Sequence, residues 1–192
     1  MRLLSAVGSA SDLFRLCLAL PLALALADLV SGLVHWAADR LLPSDWPVLG
    51  PAFVQPFRDH HRDPLGITRH DFVDTNGNNC LVSWPLALWA FAAAGEVRFA
   101  ERELFAPALL LQTTLALALT NQIHQWAHAP AVPRWVRGLQ RAGLLLSRRH
   151  HMCHHAPPQD RHFCITTGWL DRCLDRLLAR PRAAGQGQTS MV

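Results

Sequence analysis

Three apolar runs limit what this chain can become. They are "LCLALPLALALADLVSGLVHW" from Leu16 to Trp36, "CLVSWPLALWAFAAAG" from Cys80 to Gly95, and "LFAPALLLQTTLALALTNQI" from Leu104 to Ile123. A helix of about 20 residues, rising roughly 1.5 Å per residue, matches a hydrocarbon core of roughly 30 Å. The second run has only sixteen residues and also suits a re-entrant or core helix. For the first, the competing reading is a cleaved signal peptide, because Arg2 precedes an apolar stretch and "ALA" stands before Asp28. The run continues past Asp28 through Leu29, Val30, Leu33 and Val34, which favours a helix that stays in place. The expected fold is all-α, a multi-pass membrane bundle of about three to four membrane helices. It forms one unit over residues 1–182, with a small, polar tail from Ala183 to Val192 that reads as disordered.

Charge then sets the orientation. With three crossings, Arg2, Arg15, Arg98 and Arg102 share one side, Arg98 and Arg102 lying in a short polar hairpin connection, Glu96 to Glu103. The other fourteen arginines fall opposite, so the positive-inside rule makes that side cytoplasmic. All eleven histidines lie on or next to that face. Every one of the 18 basic residues is Arg, a bias that points to a GC-rich bacterial genome and hence an inner-membrane location. The net charge of +4 does not indicate nucleic acid, because the arginines follow apolar segments and no nucleic-acid motif is present. Cys17, Cys80, Cys153, Cys164 and Cys173 are odd in number and scattered, as expected of reduced thiols. Leu41 to Phe57 carries four prolines and excludes a long helix. Val132 to Leu146 reads as amphipathic and interface-lying, with Arg134, Arg137 and Arg141 on its polar side.

The histidines cluster. His35 has Asp39 one turn on, "RDHHRDP" contains His60 and His61, and "ITRHDF" contains His70. "NQIHQWAH" places His124 and His128 four apart, on one helical face. Zinc proteases use that spacing with an intervening Glu as general base, but here the position is Gln125, which cannot take a proton and reads as a spacer. "RRHHMCHHAPPQD" holds His150, His151, His154 and His155, of which the last three can share a face while Cys153 points off it. His162 stands alone. A single histidine near a membrane usually snorkels to the interface. Ten gathered imidazoles would repel one another if protonated, whereas binding cations while neutral removes that conflict. Structural zinc is satisfied by one cluster of four ligands, and axial haem ligation uses two to four histidines and leaves the rest idle. A pair of non-haem irons accounts for the number, the pairing and the membrane setting together. No nucleotide or flavin motif is present, so electrons must come from a separate carrier.

Taken in order, "ADLVSGLVHWAAD", "FVQPFRDHHRDPLGITRHDFVDTNGNNCLV", "TNQIHQWAH", "VPRWVRGLQ" and "RRHHMCHHAPPQDRHFCITTGWLD" resemble the plasmanylethanolamine desaturases, also called Kua or CarF-like proteins. The resemblance runs from about Ala27 to Leu177. It implies a multi-pass membrane desaturase with a histidine-bound di-iron centre that uses O₂ and electrons from a cytochrome b5-like or ferredoxin-like donor. The implied reaction converts the 1-O-alkyl chain of an ether phospholipid to the vinyl ether of a plasmalogen. An acyl-lipid desaturase or a hydroxylase of the same iron chemistry is the alternative, and a membrane haem or metal-binding protein is the non-enzyme one. By the same resemblance the catalytic metal ligands are His35, His60, His61, His124, His128, His151, His154 and His155, with His70 and His150 in reserve. Asp39, Asp71 and Asn121 match polar motif positions that would orient imidazoles. His162 stands where the family usually has an aromatic, and Asp171 where it has Asn. Arg134, Arg148 and Arg149 are candidates to hold a lipid phosphate or an acidic donor, or serve only as positive-inside residues.

Overall fold

The computed structural model describes residues 10–96 and 105–178, and among these the ordered elements are helical. Most of the expected Glu96–Glu103 connection and the whole 183–192 tail lie outside the described residues. The helices are α1 (Ala10–Arg40), α2 (Gln55–Arg62), α3 (Phe72–Glu96), α4 (Phe105–Ala118), α5 (Thr120–His128), α6 (Arg134–Arg141), α7 (Arg148–His155) and α8 (Asp171–Leu178). The all-α expectation holds. Among the described residues, only α1, which holds the first apolar run, is a helix long and apolar enough to cross a membrane. The third run is divided at Leu119, where the backbone leaves helical geometry (φ −104°, ψ 3°), so that α4 has 14 residues and α5 begins anew. Asn79 of α3 bridges that break, donating to the Leu117 carbonyl at 3.2 Å and to the Thr120 hydroxyl at 2.6 Å. A carbonyl freed by the interruption thereby keeps a partner.

One stripe explains how α1 packs. Ala19, Ala23, Ala27, Ser31 and His35 recur every four residues and are all buried. Small side chains at that spacing let helix backbones approach closely. α1 packs against α4 in this way, and Gln112 of α4 donates to the Leu16 carbonyl. The same stripe carries His35 into the interior. The opposite face of α1 shows Leu13, Phe14, Leu18, Leu22, Val30, Leu33 and Val34, and α3 shows Leu81, Val82, Trp84 and Trp89, an exposed apolar area well beyond that of scattered surface residues.

The proline-rich segment after α1 is compact turn, as its composition requires. It closes at Gly50, where a Cβ would lie 2.2 Å from the Ser44 carbonyl oxygen, so no larger residue fits. A short π-helical turn, Gly50–Val54, then feeds α2, whose first turn accommodates Pro56. No disulfide forms: all five cysteines are free.

Candidate metal centre

Four helices deliver ligand atoms to one interior volume. α1 supplies His35 and Asp39, α2 His60 and His61, α5 His124 and His128, and α7 His151, His154 and His155. The i, i+3 and i, i+4 spacings in α1, α5 and α7 put their donors on shared helical faces, whereas the adjacent His60 and His61 of α2 diverge, one into each of two groups. The result is two adjoining groups. His60, His124, His128, His151 and His155 form the first, and His35, Asp39, His61 and His154 the second, each with ligand atoms within 4.8 Å of one another. The His61 and His155 rings, one from each group, are 5.0 Å apart.

In the first group the Nε2 atoms form a chain. His128 faces His124 at 3.3 Å, His124 faces His151 at 2.8 Å, His151 faces His155 at 3.1 Å, and His155 faces His60 at 3.0 Å. A neutral ring nitrogen offers either one N–H or one lone pair. Each of the three inner atoms has two such neighbours, so hydrogen bonding cannot satisfy the chain. Five converging lone pairs around a cation would. The Nδ1 atoms of His60, His151 and His155 are buried with no partner among the described residues.

The second group makes the same demand by another route. His35 Nδ1 lies 3.1 Å from the Phe163 carbonyl and His154 Nδ1 2.8 Å from the Arg161 carbonyl. A carbonyl only accepts, so both Nδ1 atoms carry hydrogen and each neutral ring turns a bare Nε2 inward. Both Nε2 atoms stand 3.4 Å from Asp39 Oδ2, and His61 Nε2 stands 2.9 Å from it. Bare lone pairs facing a carboxylate oxygen repel unless a cation sits between them. The donors present therefore fit metal ions in both groups.

Burial pushes His60 and His151 well below the ordinary imidazole range, and with neighbouring histidines it pushes His155 down to about 2. These rings stay neutral when folded, while in the unfolded chain they protonate near 6.5. Below that pH the unfolded state binds more protons, so falling pH favours unfolding. Through these rings the metal-free protein is accordingly expected to lose thermal stability progressively below about pH 6.5. A flat melting temperature between pH 7 and pH 5 would contradict this.

The remaining sequence candidates fall elsewhere. Asp39, read from sequence as an outer orienting group, stands among the ligand atoms themselves. Its place four residues after His35 was the available signal. His70 is exposed at the end of the 3₁₀ turn Gly66–Arg69 and joins neither group. Asp71 accepts from the Val73 and Asp74 amides and so caps α3, and it joins neither ligand group among the described residues. Asn121 donates to the Thr75 carbonyl and to Asn79, joining α5 to α3. His150 lies in a third group with His162 and Asp171, its Nε2 2.6 Å from Asp171 Oδ2. That hydrogen bond raises its pKa. Gly168 passes beside this pair with φ +80°, and a Cβ there would lie 2.7 Å from His150 Nε2.

Gln125 is not a spacer. Its amide donates to the carbonyls of Ile67 and His70 at 2.8 and 3.0 Å and to the Thr75 hydroxyl at 3.1 Å. It thus fixes the α2–α3 connection against the ligand helix. Gln125→Ala is expected to lower activity by roughly tenfold and to loosen that connection, which hydrogen exchange over residues 65–76 would report. Wild-type protection there would restore the spacer reading.

Asp28 was not anticipated as a site residue. Fully buried in α1, it accepts from the amides of Thr166, Thr167, Gly168 and Trp169 and from the Thr167 hydroxyl at 2.6 Å. It pins the "ITTGW" segment to α1, close to the Arg161 and Phe163 carbonyls that orient His154 and His35.

These features define the class: an all-helical protein with a buried polyhistidine site of metal-ligand geometry. Residues 24–179 match the lipid desaturase domain. The chain is 45% identical over 152 residues to plasmanylethanolamine desaturase 1 of Mus musculus, covering 78% of this chain and 56% of the relative. It is 42% identical over 157 residues to plasmanylethanolamine desaturase of Myxococcus xanthus, covering 82% and 55%. It is 33% identical to chloroplastic fatty acid desaturase 4 of Arabidopsis thaliana over 152 residues, covering 78% and 45%. The chain belongs to the lipid desaturase family. It spans about half the length of the curated relatives it matches. No solved structure matches it.

Proposed function

We propose that this protein is a multi-pass membrane lipid desaturase that holds two non-haem irons and forms the vinyl-ether bond of plasmalogens from a 1-O-alkyl ether phospholipid. The observation that carries the reading is the pair of adjoining ligand groups, five imidazoles in one and three imidazoles with a carboxylate in the other. The similarity to two plasmanylethanolamine desaturases supports the substrate class. When bound, the irons would supply the oxidising power that O₂ and external electrons provide for removing two hydrogens from a saturated chain.

The protein's part is positional. His35 and His154 are fixed in one tautomer by backbone carbonyls, so their Nε2 atoms are ready as ligands without rearrangement. Asp39 brings the only carboxylate of the two groups, offsetting part of the positive charge that neutral imidazoles leave uncompensated. His35, His128, His151 and His154 are at most 2% exposed, which shields these four ligands from bulk water. The electron donor is a separate protein of cytochrome b5 or ferredoxin type. The site faces the cytoplasm of a bacterial inner membrane, and the domain ends before the 183–192 tail.

Two measurements test the reading: metal content of anaerobically reconstituted protein, expected at about two irons per chain, and acid-labile vinyl ethers in lipids of cells with and without the gene. One zinc per chain and no iron would sink the metal centre. A new double bond in an acyl chain, with no vinyl ether, would assign the enzyme to the acyl-lipid chemistry that the Arabidopsis relative's name denotes.

A further inference from the structure

A cleft of about 290 Å³ opens at the end of α1, lined by Asp39, Arg40, Arg58, His61, Arg62 and Gln159. Its composition is unusual for a wall of a metal site. Three guanidinium groups, of which Arg62 is already paired with Asp59 at 2.8 Å, line it together with two groups read above as metal ligands, Asp39 and His61. Guanidinium is the side chain best matched to phosphate, through paired N–H donors. Arg58 is held in place by donating to the Leu42 carbonyl at 2.7 Å, and the Arg40 side chain has no hydrogen-bond or ion-pair partner among the described residues.

The adjoining turn identifies the source of the anion. Leu41, Trp46, Val48 and Leu49, in the turn segment that Arg58 tethers, are large, apolar and exposed. Arg40 is the last residue of the one described helix long and apolar enough to cross a membrane, so this turn sits at the level of lipid head groups. An acidic partner protein or a free anion has no use for a run of exposed apolar side chains in the turn that follows Arg40. A phospholipid does.

We infer that the Arg40–Arg58–Arg62 cleft binds the phosphate of the phospholipid substrate and seats it directly against the second ligand group. This rests on the desaturase reading and sharpens it. A phosphate anchored there leaves only the glycerol between the anchor and the reacting atoms, which places the ether-linked end of the chain, and not its middle, at the site. The arginines singled out from sequence for a phosphate, Arg134, Arg148 and Arg149, do not line this cleft.

The test is equilibrium binding to the purified full chain in detergent, with two fluorescent probes that share their chains: an ether phosphatidylethanolamine and the corresponding 1-O-alkyl-2-acylglycerol, which lacks the phosphate. Wild-type protein should prefer the phospholipid by at least roughly tenfold, the scale of a charge-assisted hydrogen-bond pair. Arg40→Gln with Arg58→Gln should erase that preference while metal content stays at the wild-type level. Arg137→Gln, on α6 and outside the cleft, should retain it. If the double variant loses metal through misfolding, Arg40→Gln alone decides, since that side chain has no partner to lose. Preservation of the preference in the cleft variants, or its absence in wild type, overturns the proposal. A clear preference without vinyl-ether formation would instead leave the cleft standing and count against the desaturase reading.

Discussion

Replacing His151 with alanine is expected to abolish vinyl-ether formation and to strip metal from the protein. His151 is fully buried, and its Nε2 sits between those of His124 and His155 at 2.8 and 3.1 Å. It is thus an inner member of the nitrogen chain, and its loss splits the first ligand group. Removing even an outer partner of a metal ligand costs about 10- to 100-fold in affinity or activity, and a ligand should cost at least as much. His70→Ala is the matched comparison, because His70 is exposed and outside both groups. It should retain wild-type metal. Metal per chain and product per chain, in membranes at equal protein level, provide the measure. Normal metal and product in His151→Ala would remove the five-histidine group from the mechanism.

The second large effect lies away from any ligand. Asp28→Ala should destabilise the fold by about 3–5 kcal/mol, the range for removing one side of a buried, charged hydrogen-bonded pair. Four backbone amides and one hydroxyl would lose their acceptor, those of Thr166 and Thr167 in the buried interior. Because the released segment leads back to the carbonyls that set His35 and His154, metal loss should accompany the drop in melting temperature. Asp28→Asn keeps one acceptor oxygen and should fall between. An Asp28→Ala protein with wild-type melting temperature and metal content would show that the loop is held by other means.

The helical class and the histidine clusters were legible because they rest on local spacing. Four-residue intervals in "HWAAD", "HQWAH" and "HMCHH" put donors on shared faces whatever the rest of the chain does. What spacing cannot convey is which faces meet. Asp39 and Asp71 both follow a histidine, yet one enters the ligand group and the other caps α3. Only the packing of α1 on α2 and α7 separates them. The third apolar run was read as one span because hydropathy registers composition, whereas the break at Leu119 is bridged by Asn79, forty residues away. Asp28 was weighed as the residue after a cleavage signal, and its partners lie some 140 residues on, beyond any local pattern.

That same Asp28 clasp fixes when the centre can be finished during synthesis. His35, His60, His61, His124 and His128 all emerge before α7 exists, so a growing chain carries half-built ligand groups. The carbonyls of Arg161 and Phe163 and the amides of 166–169 come later still. At about 5–20 residues per second, the stretch from His128 to Trp169 takes a few seconds to make. For that interval the exposed imidazoles would hold any divalent ion only loosely. Metal selection would therefore wait until the 166–169 segment has been made and Asp28 holds it, when both ligand groups can close together.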